Sequence, residues 1–397
     1  MPITRTARPV SPARTALVSG AGVAGLATAY WLRRHGWTTT VVERAPAVRT
    51  GGHAIDVRGV ALAVLERMGL LDQVRQARTR TRGMTMLDGD GREQWRSTEM
   101  ALSSGRLDSD DCELLREDLT RLLYERTAPE TEFLFGDSVV TLDGTPAGTD
   151  RTDGPDGPDG PEGIRVGFEH APDRTFDLVV GADGLHSTVR RLAFGEEARF
   201  AHHLGSYVGV FSTDNFLGLE DWQVWSQDET TTTCVYPVRD NTELRATVGF
   251  RSEPLADHDH RDTDAHRTLL ADRLAHLGGD TPRLLKAMHT APDFYFDAMA
   301  QIRMDRWSRG RTVLVGDAGY CPSPLSGQGT SLALVGAYVL ADELAKAGGD
   351  HRVALPRYEE RLRPFVTLNQ ALATENPGNP AAEESVDRAK NALSLDA

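Results

Sequence analysis

The sequence predicts an α/β protein: a Rossmann-like nucleotide-binding domain, discontinuous along the chain, with a β-sheet domain inserted into it and a helix near the C-terminus closing it. Three observations predict this. A strand, a glycine-rich turn, a helix and a second strand follow one another within residues 15–43. The block around 202–250 then changes to alternating and aromatic runs, the pattern of antiparallel strands. A short apolar strand at 312–315 and a helical stretch at 329–346 return to the opening pattern. One nucleotide-binding domain interrupted by a sheet accounts for that order.

Taken in order, residues 1–14 are basic, contain Pro9 and Pro12, and lack the apolar stretch of a signal peptide; they are expected to be a flexible leader. Residues 15–19 form an apolar strand, 26–35 a helix stopped by Gly36, and 38–42 a β-branched strand ending on Glu43. A glycine-containing loop covers 49–58, and a helix at 60–68 is stopped by Gly69. A second helical pattern spans 107–126, carried by Leu114, Leu115, Leu119, Leu122 and Leu123. The stretch 143–163 includes GPDGPDGPEG, which cannot bury a core. Flanking strands at 132–142, 164–169 and 176–180 make it an overlong hairpin tip; a linker between domains is the alternative. Strands are expected at 207–211, 222–225, 232–237, 244–250 and 294–304, helices at 265–277, 282–289 and 356–374, and a polar, partly frayed tail at 375–397. The nucleotide-binding domain thus comprises 15–85, 107–200 and 300–374, and the inserted sheet domain 86–106 and 201–299.

Composition narrows the function. The 397 residues are 40% hydrophobic and 26% charged, as in a globular protein, and the formal net charge is -14. That acidity argues against nucleic acid and against an anionic membrane surface as partners. Cys112, Cys234 and Cys321 are widely spaced, which excludes a disulfide framework and a structural metal site and points to a reducing, cytoplasmic compartment. No apolar run reaches the roughly 18 residues of a membrane span.

The chemistry is carried by three segments. In Gly20-x-Gly22-x-x-Gly25, the first glycine permits the tight turn, the second lets a pyrophosphate approach the backbone, and the third allows close helix–strand packing. The helix N-terminus offers N–H groups and a positive dipole end to phosphates, and Glu43 can accept hydrogen bonds from ribose hydroxyls. A carboxylate there disfavours a 2′-phosphate, so FAD or NAD fits better than NADP. The second segment, 177–190, contains Gly181-Ala-Asp183-Gly184 and ends on Ser187-Thr-Val-Arg190; the third, 310–331, contains Gly316-Asp317-Ala318 and Pro322-Ser-Pro324-Leu-Ser-Gly327-Gln328-Gly329-Thr330-Ser331. An ordinary NAD dehydrogenase needs neither.

These three segments, in this order, resemble the class A flavoprotein aromatic hydroxylases, the para-hydroxybenzoate hydroxylase-like group. The resemblance covers roughly residues 15–375 and is strongest to tetracycline-inactivating and antibiotic-tailoring monooxygenases. It implies FAD, with Gly20, Gly22, Gly25 and Glu43 on its ADP half and Arg44 reaching toward the flavin. It implies Arg116 at the pyrophosphate region, for which a solvated helix arginine is the alternative. It implies Asp183 in FAD and nicotinamide binding, Asp317 at the ribityl chain, and Pro324, Gly327, Gly329 and Thr330 around the isoalloxazine. The pattern departs from the family at Gly319, Tyr320, Ser331 and Gly336, where Ala, His, Asn and Asp are common.

The implied reaction is hydroxylation of a small aromatic or polycyclic, antibiotic- or polyketide-like substrate by O2 and NAD(P)H through a flavin C4a-hydroperoxide, with the nicotinamide bound only transiently. Catalysis is then flavin-centred, with Arg44, Arg58 and Pro324 the side chains closest to a catalytic role and no metal. The substrate wall is expected from Tyr207, Trp222, Trp225, Tyr236, Phe294, Phe296 and Pro324, against the alternative that alternating aromatics are simply core. His53, Asp56 and Arg58 either face the flavin or form an exposed polar loop. A monomer or homodimer is expected. The alternatives are a related flavoenzyme, such as a Baeyer–Villiger oxygenase or dehydrogenase, and a non-catalytic flavoprotein that binds an aromatic ligand.

Overall fold

The computed structural model describes residues 14–49, 51–143, 163–255, 262–376 and 380–396. Residues 1–13 of the expected leader, nearly all of the 143–163 hairpin tip and the final residue fall outside them.

The apolar run Thr15–Ser19 becomes the central strand of a six-stranded sheet. Across that sheet the order is Ser308–Arg309, Thr312–Leu314, Leu178–Gly181, Thr15–Ser19, Thr38–Glu43, Glu132–Phe135. All pairs are parallel except that of the edge strand Ser308–Arg309. Helices Val23–Arg34 and Gly329–Lys346 pack on it, and Leu17, Leu26, Leu32, Leu334 and Leu340 are fully buried in the resulting core. The strands Val139–Asp143, Ile164–Phe168 and Arg174–Phe176 form a small meander beside that sheet; the expected flanking strands at 132–142 and 176–180 are corrected, since Glu132–Phe135 and Leu178–Gly181 belong to the parallel sheet. In an open parallel sheet, ligands bind outside the carboxyl ends of the strands. Here those ends are Ser19, Glu43, Gly181 and Leu314.

The inserted block forms a seven-stranded sheet, ordered Tyr295–Ile302, Ala201–Asp214, Glu243–Arg251, Thr231–Val238, Gln223–Gln227, Met84–Leu87, Glu93–Ser97. Its far face packs on helices Thr263–Leu274 and Thr281–Thr290 through a second core that includes Tyr207, Phe211, Val248, Leu270 and Met288.

Two local expectations are corrected. The helical pattern at 107–126 is a strand, Cys112–Leu115, followed by a helix, Arg116–Thr127. Leu114 and Leu115 are buried in that strand because it pairs antiparallel with Ala54–Val57, inside what reads as a loop. Pairing between segments some 60 residues apart overrides the local period. The described part of the tail is not frayed either. Glu383–Lys390 is a helix, Leu395 is buried, and Lys390 Nζ lies 3.0 Å from Asp111 Oδ2. Among the described residues no helix is long and apolar enough to cross a membrane. The three cysteines are buried and unpaired.

Candidate functional site

A cleft of about 2170 Å³ runs from the strand ends of the parallel sheet to the near face of the inserted sheet. A pocket for one small ligand occupies roughly 300–1,000 Å³, so this cleft has room for a dinucleotide and a second molecule together.

Its first wall is the glycine turn. Gly20 has φ +104°, and a Cβ there would lie 2.5 Å from the Ala182 carbonyl oxygen. A Cβ on Gly25 would lie 1.8 Å from the Gly20 carbonyl oxygen. The chain's own packing therefore demands both glycines. Gly22 differs: its φ is -82°, and a Cβ would meet no protein atom within 4 Å. Only a group lying against that backbone requires glycine there, as a pyrophosphate does. The helix that Gly22 starts has no side-chain cap, leaving its first N–H groups to the cleft. Glu43 is buried, and its two oxygens accept from the N–H groups of Ala21 and Ala45, each at 2.9 Å. The carboxylate is fixed at the strand end with lone pairs remaining for hydroxyl donors.

The Asp-Gly and Gly-Asp turns form the second wall. Asp183 accepts from Ser187 Oγ and from the Val189 N–H, capping the Thr188–Phe194 helix, and burial raises its pKa. Arg190, fully buried, donates to the carbonyl of Ala318 at 3.0 Å and so ties the two turns together. Asp317 also has its pKa raised by burial and faces the cleft at the start of a short helical turn after Gly316. Gly327, Gly329, Thr330 and Pro324 line the same region. Gln328, named in the motif but given no role from sequence, is fully buried there, and neither its amide oxygen nor its nitrogen has a partner among the described residues. A buried amide without partners is costly, and the polar edge of a flavin supplies both donor and acceptor.

Arg116 reaches the cleft from the first turn of its helix; its backbone bonds to His53 and Thr120, but its guanidinium makes no hydrogen bond or ion pair among the described residues. Burial, with Arg49 nearby, pulls its pKa down, as expected of a cation awaiting an anion. Arg44 is exposed at the cleft edge. His53, Asp56 and Arg58 line the cleft from the Ala54–Val57 strand and its flanks. Burial and Arg116 hold the His53 imidazole down at about 4, hence neutral. Burial pushes Asp56 up to about 7, against the pull of Arg58 Nη2 at 2.8 Å. The sequence offers Asp56 and Arg58 to the flavin; that they sit on a buried strand and not in an exposed loop comes from the pairing with Cys112–Leu115.

The departures from the family pattern have structural partners. A Cβ at Gly336 would sit 2.0 Å from the Tyr320 hydroxyl, so the two changes go together. That hydroxyl lies 3.0 Å from the Tyr358 hydroxyl, which donates to the carbonyl of Leu314. Gly319 allows the turn to approach Leu314, where a Cβ would come within 3.0 Å of its side chain. Ser331 Oγ accepts from the Arg58 N–H at 3.0 Å.

The third wall is the inserted sheet, read in two rows of cross-strand neighbours. Val210, Thr247, Cys234 and Trp225 form one row; Val208, Gly249, Thr232 and Gln227 form the next. All eight line the cleft. Of the residues expected here, Trp225 and Pro324 are in place. Tyr207, Phe294 and Phe296 touch the cleft but belong chiefly to the second core, where Tyr207 stacks on Phe296 at 5.6 Å. Trp222 and Tyr236 are outside the lining and are corrected. Trp222 covers Gly83 and donates to Thr85 Oγ1 at 2.9 Å, while Tyr236 lies beneath the Ala54–Val57 strand and accepts from the Ala54 N–H at 2.7 Å. The large aromatics Tyr207, Phe294 and Phe296 serve the second core, and the small hydroxyl residues Thr232 and Thr247, which the sequence pattern does not single out, face the cleft.

Comparison with known proteins agrees with this geometry. Residues 14–372 match the family model described as FAD binding domain. An uncharacterised protein of Mycobacterium tuberculosis is 50% identical over 96% of this chain and 99% of its own. A flavin-dependent monooxygenase of Legionella longbeachae is 37% identical over 89% of this chain and 86% of its own. The crystal structure of tetracycline destructase Tet(55) superposes with a TM-score of 0.82 at 34% identity, covering 97% of this chain and 99% of that one. The cradle, the buried Gln328 and these relatives together place the chain in the FAD-binding-domain family, among its flavin-dependent monooxygenases.

Proposed function

We propose that the protein hydroxylates a small aromatic or fused-ring substrate bearing hydroxyl groups, using FAD, a reduced nicotinamide and O2. The carrying observation is a single cleft that joins the dinucleotide cradle to a sheet face mixing Trp225, Val208 and Val210 with Thr232, Thr247 and Gln227. The apolar members suit a flat ring system, and the hydroxyl and amide members suit neutral polar substituents. The likeness to tetracycline destructases supports a fused-ring substrate.

The residues present fit FAD. Gly20, Gly22, Gly25 and Glu43 would hold its ADP half, Arg116 its pyrophosphate and Asp317 its ribityl chain, with Gln328, Gly329 and Thr330 at the flavin edge. When bound, FAD supplies hydride acceptance from the nicotinamide and activation of O2. The chain binds and orients the cofactor and its substrate between the strand ends and the inserted sheet. Asp56, whose Oδ1 is buried without a partner among the described residues, can hold or release a proton near neutral pH.

The test uses purified protein loaded with FAD. NAD(P)H oxidation should consume O2 and be stimulated by fused-ring phenols or tetracyclines, with a product that gains one oxygen atom. Loss of two hydrogens instead would make it a dehydrogenase; ligand binding with no nicotinamide oxidation would make it a binding protein.

A further inference from the structure

A chain of charged groups crosses from the Asp-Gly turn to the inserted sheet. His186 Nδ1 lies 2.8 Å from Glu197 Oε1, and its Nε2 lies 3.1 Å from Asp297 Oδ2. An ionised carboxylate only accepts, so both nitrogens must donate and the ring is an imidazolium. Burial works against that charge, but the two carboxylates outweigh it and raise the pKa to about 9. Burial likewise raises both carboxylates, and the imidazolium more than offsets it. Behind Glu197 stands Arg190, at 2.7 Å. Ahead of Asp297 stands Tyr295, whose hydroxyl donates to Oδ2 at 2.6 Å. Asp183 and Cys321 also face this chain of groups, from the Asp-Gly turn and the loop after Asp317.

Tyr295 is the unusual member. Its strand neighbours Phe294 and Phe296 are buried, yet Tyr295 is 47% exposed, with its ring in the cleft wall. Half-exposing an aromatic ring forgoes part of the stabilisation that burying it would give. A tie between domains needs only His186 and the two carboxylates; it does not need this ring. Tyr295 also lies within electrostatic reach of both Arg116 and Asp317, the two groups facing the middle of the dinucleotide.

We propose that Tyr295 contacts the middle of bound FAD, between pyrophosphate and ribityl chain, and that His186 and Asp297 are positioning residues that hold its phenol there. This rests on the FAD reading above.

The test is a titration of apoprotein with FAD, followed by flavin fluorescence. Tyr295→Ala, at an exposed position, should weaken FAD binding about tenfold. Tyr295→Phe, His186→Gln and Asp297→Asn should each weaken it about three- to fivefold, with unchanged far-ultraviolet circular dichroism. His186→Gln should cost nothing further in the Tyr295→Ala background, because it acts through the phenol; a merely structural tie would give additive losses. Binding to the wild type should loosen as pH rises through about 9, and the His186→Gln protein should lack that step. An unchanged FAD affinity in Tyr295→Ala, or additive losses in the double variant, overturns the inference and leaves the flavin reading intact. A wild-type chain that takes up no FAD overturns both.

Discussion

The two halves of the cleft are built by different rules. The cofactor half is made of backbone: Gly20 and Gly25 are demanded by carbonyl oxygens 2.5 and 1.8 Å from where a Cβ would stand, and Glu43 is fixed by two N–H groups. The half proposed for the substrate is made of side chains. Thr232, Thr247, Gln227 and Val210 stand on one face of a sheet whose opposite face carries the second core. A side chain on the cleft face can change without disturbing that core, because successive strand residues point to opposite faces. The first half should be rigid in sequence and general in ligand; the second should be adaptable and should decide the substrate.

The largest test of this contrast sets two glycines against each other. Gly25→Ala should destabilise the protein by more than about 3 kcal/mol, since backbone has to move, and thermal melting will show it. Gly22→Ala should leave the melting temperature within a degree or two, yet weaken FAD binding at least about tenfold. A Gly22→Ala protein that binds FAD normally would break the comparison.

Next is the Tyr320–Gly336 contact. Gly336→Ala should destabilise by about 1–3 kcal/mol through overpacking, and the loss should shrink in a Tyr320→Phe background, where the clashing hydroxyl is gone. Urea unfolding of both proteins measures it.

On the substrate half, Thr232→Val and Thr247→Val should raise KM for the accepted substrate about three- to tenfold while FAD affinity and melting temperature stay put. Steady-state kinetics and fluorescence titration separate the two. A matching loss of FAD affinity would show that the halves are not independent.

The smallest expected effect is on stability against pH. His186 has its pKa raised to about 9 in the folded protein, above the value near 6.5 of the unfolded chain. Its contribution is therefore full below about pH 6.5 and is lost as pH rises toward 9. Melting temperature should fall across that window, and His186→Gln should flatten the fall.

How far the sequence could be read follows the same division. The Gly20–Gly25 cradle, Glu43 and the Gly329–Lys346 helix were legible because turn, helix start and strand end are short-range events governed by φ, by missing Cβ atoms and by apolar period. The inserted sheet was legible as strands, but the face turned to the cleft was not. Alternation gives two faces and does not say which one is covered, so Tyr207 and Phe296 were placed on the wall when they serve mainly the second core, and Thr232 and Thr247 were passed over. The Ala54–Val57 and Cys112–Leu115 pairing, the docking of Lys390 on Asp111 and the His186–Asp297 contact each join residues brought together only by the folded chain, and the first of these buries the Asp56–Arg58 pair. By itself, the sequence determined where a dinucleotide can lie, because that depends on local backbone geometry. Only the tertiary structure decided what faces it, because burial and ion pairing at these positions depend on which distant segments pack together.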